Sequence, residues 1–129
     1  MKNTILSKVL LIATIGLFSQ FAAAQNASTA AAKQIADIVV SLNHFPSDAD
    51  KATLAAISGN SELAQGVRDM ATAVANIQHA ATAEDKSKMM ALAAAEDTPE
   101  RGKALAGIIA NINHTASADA KAQIAQLFP

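Results

Sequence analysis

Apolar residues recur along this chain with helical spacing, and the pattern repeats every 35 residues. Ile35, Ala36, Val39 and Leu42 fall at i, i+1, i+4 and i+7. The same stripe returns as Met70, Ala71, Val74 and Ile77, and again as Leu105, Ala106, Ile109 and Ile112. This spacing places each set along one side of an α-helix. A second stripe follows each of the first: Leu54 and Ile57, then Met89 and Leu92, then Ile124 and Leu127. Between the paired stripes stands a short polar stretch, Asn43-His44-Phe45-Pro46-Ser47, then Gln78-His79-Ala80-Ala81-Thr82, then Asn113-His114-Thr115-Ala116-Ser117. Self-similarity at this period is the mark of a repeat architecture.

Each unit therefore predicts a helix A, a turn and a helix B. Ser47, Thr82 and Ser117 are suited to cap helix B, and Asp50 and Asp85 stand at its third position, where a carboxylate favours the positive helix end. The third unit has Ala120 there and carries its acid at Asp119. Gly59-Asn60 predicts a left-handed end to the first helix B, with Ser61 starting the next helix. Thr98-Pro99-Glu100 predicts a capped start with Pro in the first turn. The six helices expected are Ser28–His44, Ser47–Ser58, Ser61–His79, Thr82–Glu96, Thr98–His114 and Ser117–Phe128. The fold class is all-α: three tandem helical hairpins of about 35 residues, at 28–60, 61–97 and 98–129, stacked as a short α-solenoid or a compact six-helix bundle. The period is near that of tetratricopeptide units, but the Trp, Gly and Tyr of their first helix and their closing Pro have no counterpart in these columns, so that family is not assigned.

The first 24 residues stand outside the repeat. Lys2 and Lys8 precede an apolar run from Val9 to Phe18, and Ala22-Ala23-Ala24 supplies small residues for a signal peptidase. This predicts a signal peptide at 1–24 cleaved before Gln25, and a periplasmic or secreted domain at 25–129. A membrane-spanning helix needs roughly 20 apolar residues, which Ser19 and Gln20 interrupt. The chain has no Cys, so neither disulfides nor a lipid-bearing cysteine are available, and helix packing alone must hold the domain. Leaving out Lys2 and Lys8, eight basic side chains face eleven acidic ones, a net charge of −3. With no Trp or Tyr and only Phe45 and Phe128 as aromatics in that part, the composition argues against nucleic-acid binding, and no membrane insertion is expected after cleavage.

The candidate chemistry is the histidine column. His44, His79 and His114 are the only histidines in the chain and all occupy the same place in the repeat. At a helix end an imidazole can bond the last carbonyls and suits the negative end of the dipole, and that architectural role is the first expectation. The alternative is a metal site or a pH-responsive surface, since imidazole is a common ligand for zinc, copper and nickel. In an open stack, neighbouring helices 8–10 Å apart keep the rings too far from one ion, whereas a closed bundle brings them nearer. No His-x₃-His or His-Glu-x-x-His motif occurs. Enzyme signatures are missing too: there is no nucleophilic Cys, no Gly-x-Ser-x-Gly and no Gly-rich phosphate loop, and the Glu84-Asp85 and Glu96-Asp97 pairs read as solvated charge.

The reading that results is a non-enzymatic exported module that binds a protein or peptide partner and needs no cofactor, with the row of turns, or a groove lined by helix A, as its surface. Phe45, beside His44, His79 and His114, is the candidate partner-binding residue; burial in the core is the stronger expectation for so isolated a ring. The alternative function is weak metal binding or pH response through the three histidines. The C-terminal Leu127-Phe128-Pro129, with no capping helix after it, would favour self-association if it did not fold inward.

Overall fold

The computed structural model describes residues 23–129, and the segment assigned to export lies outside them except for Ala23 and Ala24. Six helices run through the described residues: α1 at 23–41, α2 Asp48–Gly59, α3 Gln65–Ala75, α4 Ala83–Ala94, α5 Glu100–Ala110 and α6 Ala118–Leu127. The all-α repeat is as the pattern predicts.

The helix B starts form for the predicted reason. Ser47 Oγ accepts from the Asp50 amide, Thr82 Oγ1 from the Asp85 amide and Ser117 Oγ from the Ala120 amide, each at 3.1 Å. These bonds satisfy a backbone N–H that has no partner inside the helix.

Several boundaries differ from expectation. The A helices stop at residue 41, Ala75 and Ala110, about three residues short of the histidines. Asn60 is extended (φ −87°, ψ 101°), not left-handed. Its side chain accepts from the Glu62 amide and its carbonyl from the Leu63 amide, so the 60–63 segment forms a local turn that displaces the start of α3 from Ser61 to Gln65. Pro99 is the N-cap of α5 rather than a residue of its first turn, and no side chain caps there.

The A stripes make the core. Ile35, Ala36, Val39 and Leu42, with their counterparts in α3 and α5, are all buried. Each B helix contributes less, through Leu54 and Ile57, through Met89, and through Ile124. The A helices are thus the inner layer and the B helices the outer. Alanine at the centre of the inner stripe (Ala36, Ala71, Ala106) lets these helices approach closely. Helix α2 packs on α3, and α4 packs more extensively on α5, the A helix of the following unit, than on α3 of its own.

That offset carries through to closure. Arg68 on α3 donates to the Ser58 carbonyl at the end of α2, at 3.1 Å. Lys33, in the same column one unit earlier, donates to the Phe128 carbonyl at 3.5 Å, and Phe128 is Ser58's equivalent two units on. The last unit therefore meets the first as the first meets the second. The chain closes on itself as a pseudo-threefold bundle; it is not an open solenoid. Phe128 is buried inside the joint at 6% exposure. Phe128 thus folds inward, the condition under which the C-terminal unit was not expected to favour self-association.

Candidate metal centre

The three histidines meet where the closed bundle brings its turns together. Each is left-handed: φ is 69° at His44, 69° at His79 and 67° at His114, and these are the only non-glycine residues with positive φ among those described. For an L-residue this region is costly; Gly occupies it most readily, and Asn, Asp and His are the side chains found there most often after it. In the first and third units the amide two residues on folds back, Phe45 N to Asn43 O and Thr115 N to Asn113 O, both at 2.8 Å. An i→i+2 bond around a residue of positive φ is the rarer and more strained form of γ-turn.

The histidine backbones then bond one another in a cycle. The His44 amide donates to His114 O at 2.6 Å, the His79 amide to His44 O at 2.7 Å and the His114 amide to His79 O at 2.5 Å. Every unit gives one bond and receives one, which satisfies six backbone groups and fixes the three turns on one axis. The expected helix-end role is thereby corrected: these residues lie beyond the helices, and their peptide groups, not their rings, make the local structure.

The rings gather at that axis. Their centroids are 5.1 Å apart for His44–His79, 5.0 Å for His44–His114 and 5.0 Å for His79–His114. One ring nitrogen from each lies within 4.8 Å of the others. A tetrahedral ion with three imidazoles at ~2.0–2.1 Å places its nitrogens about 3.3 Å apart and its ring centroids roughly 5 Å apart. The ring spacing matches, while the nitrogens, within 4.8 Å of one another, stand wider than in a metal-bound set and must close inward on an ion. His44 is half-buried, while His79 and His114 are exposed.

A neighbouring amide orients two of the rings. Asn43 Oδ1 lies 2.6 Å from His44 Nδ1, and Asn113 Oδ1 lies 2.6 Å from His114 Nδ1. An amide oxygen only accepts, so Nδ1 carries the hydrogen, and in the neutral ring it is Nε2 that offers a lone pair. Ligating histidines are commonly held this way, their other N–H donated to an oxygen. Gln78 has the corresponding place before His79 but is one methylene longer, and no such bond forms among the described residues.

The other sequence-predicted site residue behaves differently. Phe45 is 58% exposed, against the expectation of burial, with Lys51 Nζ 5.9 Å from its ring centroid. The buried member of its turn is Pro46, whose fixed φ and compact ring fill the space under the γ-turn. Asp85, expected at the helix start as solvated charge, is instead 5% exposed and takes bonds at Oδ2 from Thr82 Oγ1 (2.9 Å) and Asn76 Nδ2 (3.0 Å). Its position three after a cap residue was the available signal. The Asn76 donor, from the end of the preceding helix, was not visible in the repeat columns, because only that unit pairs it with an acid that is drawn inside.

Comparison of the chain with protein-family models, with curated proteins and with solved structures gave no match.

Proposed function

We propose that this protein binds a transition-metal ion through the imidazoles of His44, His79 and His114, as an exported periplasmic or secreted domain. One observation carries the reading: the chain's only three histidines, spread over 70 residues of sequence, converge within 4.8 Å, each at a positive φ that an L-residue adopts at a cost. Strained backbone persists where the surrounding structure enforces it and tends to mark functional places. Architecture alone would be served as well by Gly or Asn. The donor set is three neutral nitrogens, which suits zinc, copper, nickel or cobalt and gives magnesium or calcium nothing to bind.

Calorimetric titration with zinc, copper and nickel tests this, alongside NMR of the three rings. One equivalent is expected to bind and to shift all three rings together. Replacing all three histidines with Asn, which tolerates positive φ, is expected to abolish binding with helicity unchanged. If the wild-type rings ignore sub-stoichiometric and excess metal alike, the reading fails.

A partner-binding role for the same face rests on a separate observation, the exposure of Phe45 beside the tripod. An aromatic ring left in solvent next to a fixed polar cluster is the usual form of an interface anchor. Replacement of Phe45 by Ala is expected to leave metal binding and stability nearly unchanged while weakening any protein contact made there.

A further inference from the structure

We infer that the metal centre keeps one coordination position open to solvent, and that this position takes a small monodentate anion. The inference rests on the metal reading above and extends it to the ligand the ion would carry.

Leu42, Ile77 and Ile112, from the ends of the A helices, are buried, as are Pro46 and Ala116 just after the histidines. The cycle of histidine peptide bonds lies across the same axis. That side is closed by backbone and apolar side chains, with no ligand to offer. The other side faces water, since His79 and His114 are exposed.

The next step is donor count. No further His, Cys, Asp or Glu joins the three histidines among the described residues. The side chains directly after them are Phe45, Ala80 and Thr115, of which two have no ligand atom and the third only a weakly ligating hydroxyl. A tetrahedral ion held by three protein nitrogens has its fourth position filled by water or substrate, the arrangement that separates open sites from closed structural ones. Here that fourth position falls on the pseudo-threefold axis, pointing outward.

Charge selects what enters. Three neutral imidazoles leave the ion's double positive charge uncompensated, unlike a thiolate or carboxylate set. Lys51, whose Nζ lies 5.9 Å from the ring centroid of Phe45, the residue after His44, adds a positive charge beside that turn. An anion replacing water gains from both. The step is a simple exchange: the metal–water bond breaks, a metal–anion bond forms, and water leaves with no change of oxidation state.

Cobalt(II) substitution reads this directly. Binding of cobalt by the wild-type protein is expected to give the intense visible bands of a tetrahedral nitrogen site. Azide added to the cobalt-loaded protein is expected to shift those bands saturably, and removal of azide to restore them. A normal cobalt spectrum that azide leaves unmoved overturns the open position while the metal reading stands. If no cobalt spectrum develops and zinc also fails to bind, both are overturned. A cobalt spectrum that responds to azide identically in the variant with all three histidines replaced by Asn means that the ion sits elsewhere, and this too overturns the inference.

Discussion

At His44, His79 and His114 the backbone and the side chain make opposite demands. Positive φ costs an L-residue roughly 1–2 kcal/mol relative to the ordinary helical region, and Gly avoids that cost while losing about 0.4–1 kcal/mol through its freer unfolded chain. His79→Gly should therefore leave stability within about 1 kcal/mol of wild type in urea melts, even though it removes two ring–ring contacts. His79→Val, with a β-branched side chain at the same φ, should be about 2 kcal/mol worse than His79→Gly. Both should lose metal equally. A large destabilisation by Gly would mean that the rings hold the fold, and the functional reading of the strain would fall. The preceding amides give a second test at this scale. Asn43→Leu removes the acceptor that keeps His44 Nε2 free, and such outer partners are typically worth ~10–100-fold in metal affinity. Gln78→Leu removes no comparable bond, so its affinity should stay near wild type in the same calorimetric series.

At the level of helices, the repeat columns carried most of what was legible. The apolar stripes of A and B and the three caps all stand where the pattern predicts. Helix ends were less legible, because the residues that stop helix A are stopped from a distance. Leu42, Ile77 and Ile112 could continue a helix on propensity, but the cycle of histidine bonds between units pulls the chain out of it. No window of one unit contains that information. The same holds for Phe45, whose exposure follows from Pro46 taking the buried place. Cap strength gives the prediction for this scale. Ser47→Ala removes one bond and should cost about 1 kcal/mol. Thr82→Ala removes the same cap and also the hydroxyl that donates to buried Asp85, leaving that carboxylate with Asn76 alone. Its cost should be roughly 2–3 kcal/mol, since a buried acceptor is left under-satisfied. Equal losses for the two variants in denaturant titrations would show that Asp85 draws its compensation elsewhere.

For the whole molecule, the site and the closure are one structure. Each histidine comes from a different unit, so the tripod exists only while the third unit is docked on the first. Phe128 and the Lys33 contact to its carbonyl secure that joint far from the metal axis in sequence, at the end of α6. Linkage then requires that whatever stabilises the closed ring strengthens metal binding, and that metal stabilises the closed ring in return. Zinc at about 100 times its dissociation constant should add ~2.7 kcal/mol to unfolding, an increment absent when all three histidines are Asn. Phe128→Ala should cost roughly 3–5 kcal/mol in the apo protein, as for other buried aromatic truncations. If that variant populates an open ring, its metal affinity should fall by the fraction open, and at the same free zinc its stability increment should be smaller than that of wild type. If Phe128→Ala lowers stability but leaves affinity and the zinc increment unchanged, the joint is only packing, and the turns find one another through the A helices alone. The first outcome makes metal occupancy a measure of whether the three units are joined, which an open stack of the same helices could not provide.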